Sequence, residues 1–537
     1  MSETTATAPP DTLFGSLQRC SMRRDPTDRA LAGIRNADRW VELTYAELLA
    51  DIESVSTHLA ALGLKKGDVL CLLLPNWTEG VIYTYAASRL GAVVCPITTI
   101  YRQRELTFIL ERTRCKVVVI PSVYRGFDYA AMMRELAAGL PDLQHVICVG
   151  DTDVESLVSS DDLLRPPDSS TPAPTGTAED VAVLAFTSGT TGEAKGVMHS
   201  AASLHAMMDD LVEHSGFGCR LTSLVISPIG HMTGFLWGVL MPLRGAGDVV
   251  MLPAWEAERA LDLIARYSVD IAMGATPFLS DLLGAARERS GGQLPKIFIC
   301  GGAPIPPSLI ERAVREHGAR VVSVWGMSEY PVGTATATRD HPTLASRSDG
   351  RPCGRAEVRI VDEVGASVPV GAEGDIIIRG PALFKGYYKR PDLDVDSFTA
   401  DGFLRTGDRA RLLDDDGHIR ISGRTKDIII RGGENIPVVE IENILLTHPA
   451  IKEIALVAVP HERLGETACA CLVMQPEATE LGVPELARFL SQRGVAKQFF
   501  PEAVRTMPHL PRTPSGKIQK FALRNQILGP EIPAPTG

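Results

Sequence analysis

The sequence lacks the features that place a protein in or across a membrane. No apolar run is long enough to cross a bilayer, and the N-terminal residues do not show the charged, apolar and small-residue regions of a signal peptide. We therefore expect a cytoplasmic protein with no membrane insertion.

Positive charge is also scarce. The chain has 54 Lys and Arg residues against 65 Asp and Glu residues, which gives a net charge of -11. Binding to the phosphates of a nucleic acid at physiological salt requires a basic face. This balance excludes nucleic acid as the expected partner, and any small anionic ligand would need positive charge that is concentrated locally.

Paired cysteines are absent as well. The ten cysteines are scattered along the chain and never form Cys-x-x-Cys, the spacing that is typical of zinc and redox motifs. Several lie in apolar segments, such as Cys71 before three leucines. Buried, reduced thiols are therefore the favoured interpretation.

The chain does contain a regular alternation of helical and strand patterns. Residues 45–62 carry apolar side chains at helical spacing and are followed by a strand pattern at 69–74. The same order recurs with a helix at 79–90 and a strand at 92–96. Such alternation predicts an α/β fold with a parallel sheet covered by helices.

The length of 537 residues exceeds what one core normally serves, so we expect at least two domains. Residues 1–12 are predicted to form a disordered tail. Residues 13–425 are predicted to form a large domain of αβ-layered subdomains with a β-rich subdomain, and 426–537 a small, mobile α+β domain. The polar, Pro- and Ser-rich segment 151–180 is expected to separate two subdomains.

A loop rich in hydroxyls and glycines follows the apolar strand pattern at 181–185. Glycine backbone N–H groups, hydroxyls and an ammonium can converge on one anion, which suits a polyphosphate. The spacing differs from the Walker pattern Gly-x-x-x-x-Gly-Lys-[Ser/Thr]. A surface turn without a ligand is the alternative. The candidate phosphate-binding residues are Thr187, Ser188, Gly189, Thr190, Thr191, Gly192 and Lys195.

Two further strand patterns end in candidate site residues. Small residues after the strand at 296–300 would let a flat group lie against the backbone. After the strand at 321–324, Glu329 is either a metal ligand or a solvated surface charge. The residues in these two segments are Gly301, Gly302, Ala303, Pro304, Trp325, Gly326, Met327, Ser328 and Glu329.

Residues 187–196 resemble the phosphate-loop signature of the adenylate-forming superfamily, which includes acyl-CoA synthetases, adenylation domains of non-ribosomal peptide synthetases and beetle luciferases. That family usually has Pro where this chain has Ala194. The resemblance extends from about residue 44 to residue 519, with five motifs in the family's order. It implies the α/β fold with a large and a small domain that the alternation predicts.

The resemblance also assigns roles around the nucleotide. Residues 325–329 are similar to the family's Tyr-Gly-x-Thr-Glu, with Trp for Tyr and Ser for Thr. This implies that Trp325 packs on adenine, that Ser328 meets the α-phosphate and that Glu329 helps to hold Mg²⁺. Asp408, in a Thr-Gly-Asp motif, would accept hydrogen bonds from both ribose hydroxyls, and residues 301–304 would flank adenine and the acyl chain. A plain turn former is the alternative for Asp408.

The C-terminal motifs resemble the family's hinge, its adenylating lysine and the glycines that line the path of CoA. Arg424 and Lys426 lie in a charged joint that resembles the family's hinge, with Arg424 on the ribose side and Lys426 at the pivot. Lys517 falls on the adenylating lysine of Pro-x-Thr-x-x-Gly-Lys. Gly432 and Gly433 would let the pantetheine arm of CoA pass close to the backbone.

A short Gly-flanked turn contains the candidate residues for the acid. The family places an aromatic or His gate of the acyl pocket here, which implies that His231, Thr233 and Phe235 line the substrate site. A hydrogen-bonded turn residue is the alternative for His231.

The function that the resemblance implies is an ATP-dependent acid:CoA ligase. The enzyme would activate a small-molecule carboxylic acid as acyl-AMP, release pyrophosphate and transfer the acyl group to CoA, with ATP, Mg²⁺ and CoA as cofactors. Lys517, Glu329, Thr187 and Ser328 are the predicted catalytic residues. The motifs look most like the branch that activates medium-chain or alicyclic acids.

Other functions remain open. An acyl-AMP ligase that loads a carrier protein, or an enzyme that catalyses only one half-reaction, would carry the same motifs. An amino-acid adenylating enzyme is disfavoured because residues 227–235 offer no carboxylate for an α-ammonium group. A non-catalytic nucleotide-binding protein would be expected to have lost Lys517, Glu329 or Asp408. The sequence leaves the oligomeric state open, a homodimer included.

Overall fold

The computed structural model describes residues 11–168, 170–187, 194–289, 292–303, 305–424, 429–431, 434–461, 465–493, 495, 497–513 and 516–528. The fold is of the predicted α/β class, with a large N-terminal domain and a small C-terminal domain. Within these residues, no helix is both long enough and apolar enough to cross a membrane.

The first sheet of the large domain has seven strands in the described residues. Its pairs are parallel except for the last two strands, which form an antiparallel pair at one edge. In spatial order the strands are Val158–Ser159, His145–Val149, Val117–Pro121, Val69–Leu72, Val93–Pro96, Val181–Thr187 and Lys195–Ser200.

The second sheet has nine strands in the described residues. Six neighbouring strands from Arg320–Met327 to Arg29–Arg35 pair in parallel, and antiparallel strands extend both edges. In spatial order the strands are Arg351–Pro352, Tyr330–Ala335, Arg320–Met327, Ile297–Gly301, Ile271–Gly274, Thr222–Val225, Asp248–Met251, Arg29–Arg35 and Arg39–Thr44.

Burial explains why these segments form parallel strands. All four residues of Val69–Leu72 and all five of Val117–Pro121 are buried, as expected for strands that are covered on both faces. The helix Thr78–Arg89 is buried along its whole length, because it packs against strands of both sheets. It is the layer that joins the two sheets into one core.

Two smaller antiparallel sheets complete the domains. The β-rich part of the large domain contains Glu357–Val361, Glu373–Arg379, Leu404–Leu412 and Ile419–Arg424. The sheet of the small domain contains Glu434–Ile436, Ile429–Arg431, Gly465–Met474 and Ile451–His461, with Ala503–Thr506 parallel to Gly465–Met474. A short hairpin pairs Val123–Tyr124 with Phe127–Asp128.

The helices cover the faces of these sheets. Their bounds are Leu13–Ser21, Tyr45–Ala61, Thr78–Arg89, Gln103–Thr113, Tyr129–Ala137, Ser160–Leu164, Ala201–Ser215, Met232–Phe235, Met241–Arg244, Ala257–Tyr267, Thr276–Glu288, Pro307–His317, Pro391–Ser397, Val438–Leu445, Val483–Ser491 and Lys520–Leu528, with a π-helix at Leu236–Leu240 and 3₁₀ turns at Leu344–Ser346 and Lys497–Phe499.

Two sequence-based boundaries differ from the structure. Segment 151–180 does not separate subdomains, because the strands on either side of it, His145–Val149 and Val181–Thr187, belong to the same sheet. Thr12, assigned to the tail, is buried, and its hydroxyl accepts a hydrogen bond from Gly15 N–H as the cap of the first helix. Residues 1–10 and Lys426 lie outside the described residues, so the other limits remain predictions.

The expectation of unpaired cysteines agrees with the structure. All ten cysteines are free, and nine of them are buried, with Cys219 exposed.

The buried strands should dominate the stability of the large domain. Val118 is fully buried in a central strand, whereas Val364 is 88% exposed. We expect Val118→Ala to lower the free energy of unfolding by about 2 kcal/mol, from lost burial and the cavity left behind. Val364→Ala is the matched control and should change it by less than about 0.5 kcal/mol. All five tryptophans precede residue 330, so the denaturant midpoint by tryptophan fluorescence reports on this domain. Equal shifts of the denaturant midpoint in the two variants would contradict the placement of Val118 in the buried core.

Candidate active site

A cavity of about 670 Å³ lies between the large domain and the small domain. It opens beyond the carboxyl ends of two adjacent parallel strands, Ile297–Gly301 and Arg320–Met327. Strand ends of this kind are where α/β proteins bind ligands. The cavity brings together seven of the predicted site residues: Gly302, Ala303, Trp325, Gly326, Asp408, Arg424 and Lys517.

A buried carboxylate lies in the wall of this cavity. Asp408 is 5% exposed, and its two oxygens have different partners. The indole N–H of Trp325 donates to Oδ2 at 2.9 Å, and Nε of Arg424 lies 2.9 Å from Oδ1. The backbone N–H of Asp408 donates to the Thr406 hydroxyl, which fixes the turn. Asp408 is therefore held in one orientation and faces the cavity.

Lys517 reaches the cavity on a tight hairpin of the small domain. The N–H of Thr513 donates to the Lys517 carbonyl at 2.7 Å, and the N–H of Lys517 donates to the Thr513 hydroxyl at 3.0 Å. Arg512 donates to the Gly516 carbonyl at 2.6 Å and pairs with Glu453 at 2.7 Å. These bonds join both ends of the hairpin, residues 512–513 and 516–517, and hold Lys517 at the cavity.

Gly516 of the hairpin lies close to the large domain. A Cβ at Gly516 would lie 3.6 Å from Pro277, which is ordinary van der Waals contact. Burial, together with the positive charge of Lys517, lowers the pKa of His231 to about 4. His231 is therefore neutral at pH 7.

The turn that carries His231 is tightly packed. His231 caps the helix Met232–Phe235, and its Nδ1 accepts a hydrogen bond from the N–H of Thr233 at 3.2 Å. A Cβ at Gly234 would lie 2.1 Å from the Pro228 carbonyl oxygen, so only glycine fits there. Phe235 is 1% exposed and packs in the core. The cap hydrogen bond fits the interpretation of His231 as a turn residue, whereas its role in an acyl pocket stays a prediction.

Glu329 lies next to the strand that leaves the phosphate loop. It is 7% exposed, and its Oε1 accepts a hydrogen bond from the Tyr387 hydroxyl at 2.7 Å. The ammonium of Lys195 lies 5.0 Å from the centre of the Tyr387 ring. Burial and the charge of Glu329 raise the pKa of Tyr387 well above its usual value. Tyr387 therefore stays protonated and connects Lys195 with Glu329.

His199 links the strand Lys195–Ser200 to the segment that contains Glu329. It is fully buried, its Nε2 donates to the Ser328 carbonyl at 2.7 Å, and its Nδ1 lies 3.1 Å from the Ser203 hydroxyl. Burial lowers the pKa of His199 to about 4. A neutral imidazole thus ties the strand Lys195–Ser200 to the residue before Glu329.

The remaining predicted site residues fall into two groups. Thr187, Gly301 and Met327 are placed at the ends of the strands that surround the site, and the Thr187 hydroxyl lies 3.5 Å from the Lys195 carbonyl. The others lie outside the described residues and stay predictions: Ser188, Gly189, Thr190, Thr191, Gly192, Pro304, Lys426, Gly432 and Gly433.

Sequence reasoning missed Tyr387 and His199. Tyr387 lies almost 60 residues beyond its partner Glu329, in a segment with no motif of its own. His199 follows the phosphate loop directly and precedes a helix, so a polar residue inside the apolar strand pattern was a usable signal.

The neutral state of His199 predicts a pH dependence of stability. Because its folded pKa of about 4 lies below the ordinary value of about 6.5, the unfolded chain takes up the proton first as the pH falls. The free energy of unfolding therefore decreases as the pH falls from about 6.5 to about 4. This one group contributes about 1.4 kcal/mol per pH unit to that decrease. We expect His199→Gln to reduce the slope of the unfolding free energy against pH by about this amount. The slope is measured by urea unfolding between about pH 4.5 and pH 7. The exposed His341 offers a control, His341→Gln, and a His199→Gln slope equal to that of the wild type would refute the prediction.

Comparisons with known proteins identify the family of this chain. The family model described as "AMP-binding enzyme" matches residues 19–388, and the model "AMP-binding enzyme C-terminal domain" matches residues 440–517. The medium-chain fatty-acid–CoA ligase of Escherichia coli (strain K12) is 33% identical over 487 residues, covering 90% of this chain and 86% of that protein. The 2,3-dihydroxybenzoate-AMP ligase of Bacillus subtilis (strain 168) is 32% identical over 489 residues, covering 90% and 89%.

The fold comparison agrees. The ATP-bound structure of MatB from Rhodopseudomonas palustris superposes with a TM-score of 0.83 at 28% identity, covering 96% of this chain and 99% of that one. The family models together match most of the length, in the order in which the two domains occur. This chain therefore belongs to the AMP-binding enzymes, the adenylate-forming acid ligases.

Proposed function

We propose that the protein is an ATP-dependent acid:CoA ligase that activates a carboxylic acid as acyl-AMP and then transfers the acyl group to CoA. The observation that carries the proposal is that Lys517 of the small domain lines the same cavity as Trp325 and Asp408 of the large domain. An aromatic face, a carboxylate and an ammonium in one cavity suit adenine, ribose and phosphate respectively.

In the first step the substrate carboxylate attacks the α-phosphorus of ATP and the bond to pyrophosphate breaks. Negative charge then builds up on the phosphate oxygens, and fixed positive charge stabilises it. Lys517 supplies that charge from its hairpin, together with Lys195 and the predicted phosphate loop. No protein nucleophile is required.

The residues at Glu329 fit a divalent cation. Glu329 is a buried carboxylate, and the side chain that the described residues place on its Oε1 is the neutral hydroxyl of Tyr387, not a cation. A buried carboxylate without a cationic partner is costly unless a cation compensates its charge. Mg²⁺ at this carboxylate would neutralise the phosphate charge of ATP.

In the second step the CoA thiolate attacks the acyl carbon and AMP leaves. The Lys517 hairpin fills part of the cavity, so we propose that the small domain turns about a pivot near Lys426 and withdraws it. Gly432 and Gly433 would then lie along the pantetheine arm. Motion of this kind separates the two half-reactions.

The acid itself is proposed from the residues of the turn around His231, which the family resemblance assigns to the acyl group. His231 is neutral, Met232 and Phe235 are buried and apolar, and no carboxylate belongs to this turn. These groups favour an acid with an uncharged, apolar tail, such as a medium-chain or alicyclic acid.

A second candidate function differs from the first only in the molecule that accepts the acyl group. A relative that forms a CoA thioester and a relative named as an AMP ligase match at similar identity, 33% and 32%. An acyl-AMP ligase that loads a carrier protein would use the same first step.

A panel of carboxylic acids tests the proposal. The enzyme is incubated with ATP, Mg²⁺ and each acid, with and without CoA, and the products are measured by mass spectrometry. We expect pyrophosphate release and a CoA thioester with at least one apolar acid. Acyl-AMP without thioester would favour the carrier-protein function, and no acyl-AMP with any acid would count against both.

Lys517→Ala separates the two steps. Without the ammonium the developing charge is unopposed, so adenylation should fall by at least about 100-fold. Thioester formation from supplied acyl-AMP and CoA should stay within about threefold of the wild type, because Lys517 is withdrawn in that step. Lys497→Ala removes an exposed lysine of the same domain and is the matched control. Equal loss of both half-reactions would contradict the two-position scheme.

A further inference from the structure

The indole of Trp325 does more than provide a flat surface. Trp325 is 8% exposed, and its indole N–H donates to the buried carboxylate of Asp408, with the nitrogen 2.9 Å from Oδ2. A bond from an N–H group to a carboxylate is among the stronger hydrogen bonds in proteins. The ring nitrogen therefore fixes the carboxylate as well as the ring itself.

The neighbouring strand is shaped to admit this ring. Gly333 lies in Tyr330–Ala335, which pairs with the strand that carries Trp325. A Cβ at Gly333 would lie 2.5 Å from Cζ3 of Trp325 and 2.7 Å from Cδ1 of Ile378. Both distances are shorter than any real contact of a Cβ, so the indole could not keep its position beside a larger residue.

The hydrogen bonds that Asp408 already accepts leave a defined number of free acceptor positions on its carboxylate. An ionised carboxylate has about four acceptor positions. Trp325 uses one on Oδ2 and Arg424 uses one on Oδ1. About two positions remain, one on each oxygen, and a vicinal diol offers two donors. The pair of donors thus orients the carboxylate so that each oxygen can accept from one hydroxyl.

We propose that Trp325 is a positioning residue that makes the site selective for a ribonucleotide over its 2′-deoxy analogue, and that Gly333 is required to seat it. This inference rests on the proposed function, since it takes the diol to be the ribose of ATP. A site that holds an acceptor in place for a hydroxyl rejects the ligand that lacks it, because the acceptor is then left unpaired.

Direct binding tests the proposal without knowledge of the acid. The dissociation constants of ATP and 2′-deoxy-ATP, each with Mg²⁺, are measured by calorimetry on the full chain. We expect the wild type to prefer ATP. In Trp325→Phe, which keeps an aromatic face but loses the N–H, the ratio of the two constants should narrow roughly tenfold.

A second variant and a control separate positioning from packing. Gly333→Ala keeps every polar group but displaces the indole, so it should narrow the ratio in the same direction. Trp40 donates its indole N–H to the Tyr267 hydroxyl at 2.9 Å, away from the cavity. Trp40→Phe is therefore the matched control and should keep the wild-type ratio.

Each outcome decides the proposal. A narrower ratio in Trp325→Phe and Gly333→Ala, with an unchanged ratio in Trp40→Phe, supports it. If Trp325→Phe weakens both nucleotides by the same factor, Trp325 only packs and the proposal is overturned. The same holds if the wild type binds ATP without preferring it to 2′-deoxy-ATP. A wild type that binds neither nucleotide would instead overturn the proposed function on which the inference rests.

Discussion

The placement of one ammonium group, that of Lys517, is the constraint on which the rest of the structure depends. The large domain provides a cavity with a fixed carboxylate, Asp408, and the small domain provides the charge opposite to it. The hairpin is held by bonds within the small domain, from Arg512 to Gly516 and to Glu453. The position of Lys517 relative to the small domain is therefore set by contacts within that domain.

The large domain meets this constraint through the geometry of parallel strands. Neighbouring parallel strands end at the same edge, so segments that are distant in sequence, such as those at Gly302 and Trp325, become neighbours around one cavity. Neutral groups hold these segments without adding charge to the site. His199 fixes the carbonyl of Ser328, and Tyr387 fixes the carboxylate of Glu329.

The sequence was informative where local pattern and structure share a cause. Apolar runs such as Val69–Leu72 are buried strands because both faces are covered, and their alternation with amphipathic helices predicts parallel pairing. The same reasoning was wrong for segment 151–180. Its polar, Pro-rich composition indicates a surface connection, but it does not indicate whether the strands on either side join one sheet or two.

By itself, the sequence determined the class of fold, the order of the motifs and the types of chemical group that a nucleotide site requires. Only the tertiary structure decided how these groups are oriented: that Trp325 and Arg424 share Asp408, that Gly333 gives the indole its room, and that Tyr387 and His199 support the site. The physical reason is that hydrogen bonds and steric contacts between distant segments depend on distances of a few ångströms, which no local periodicity encodes.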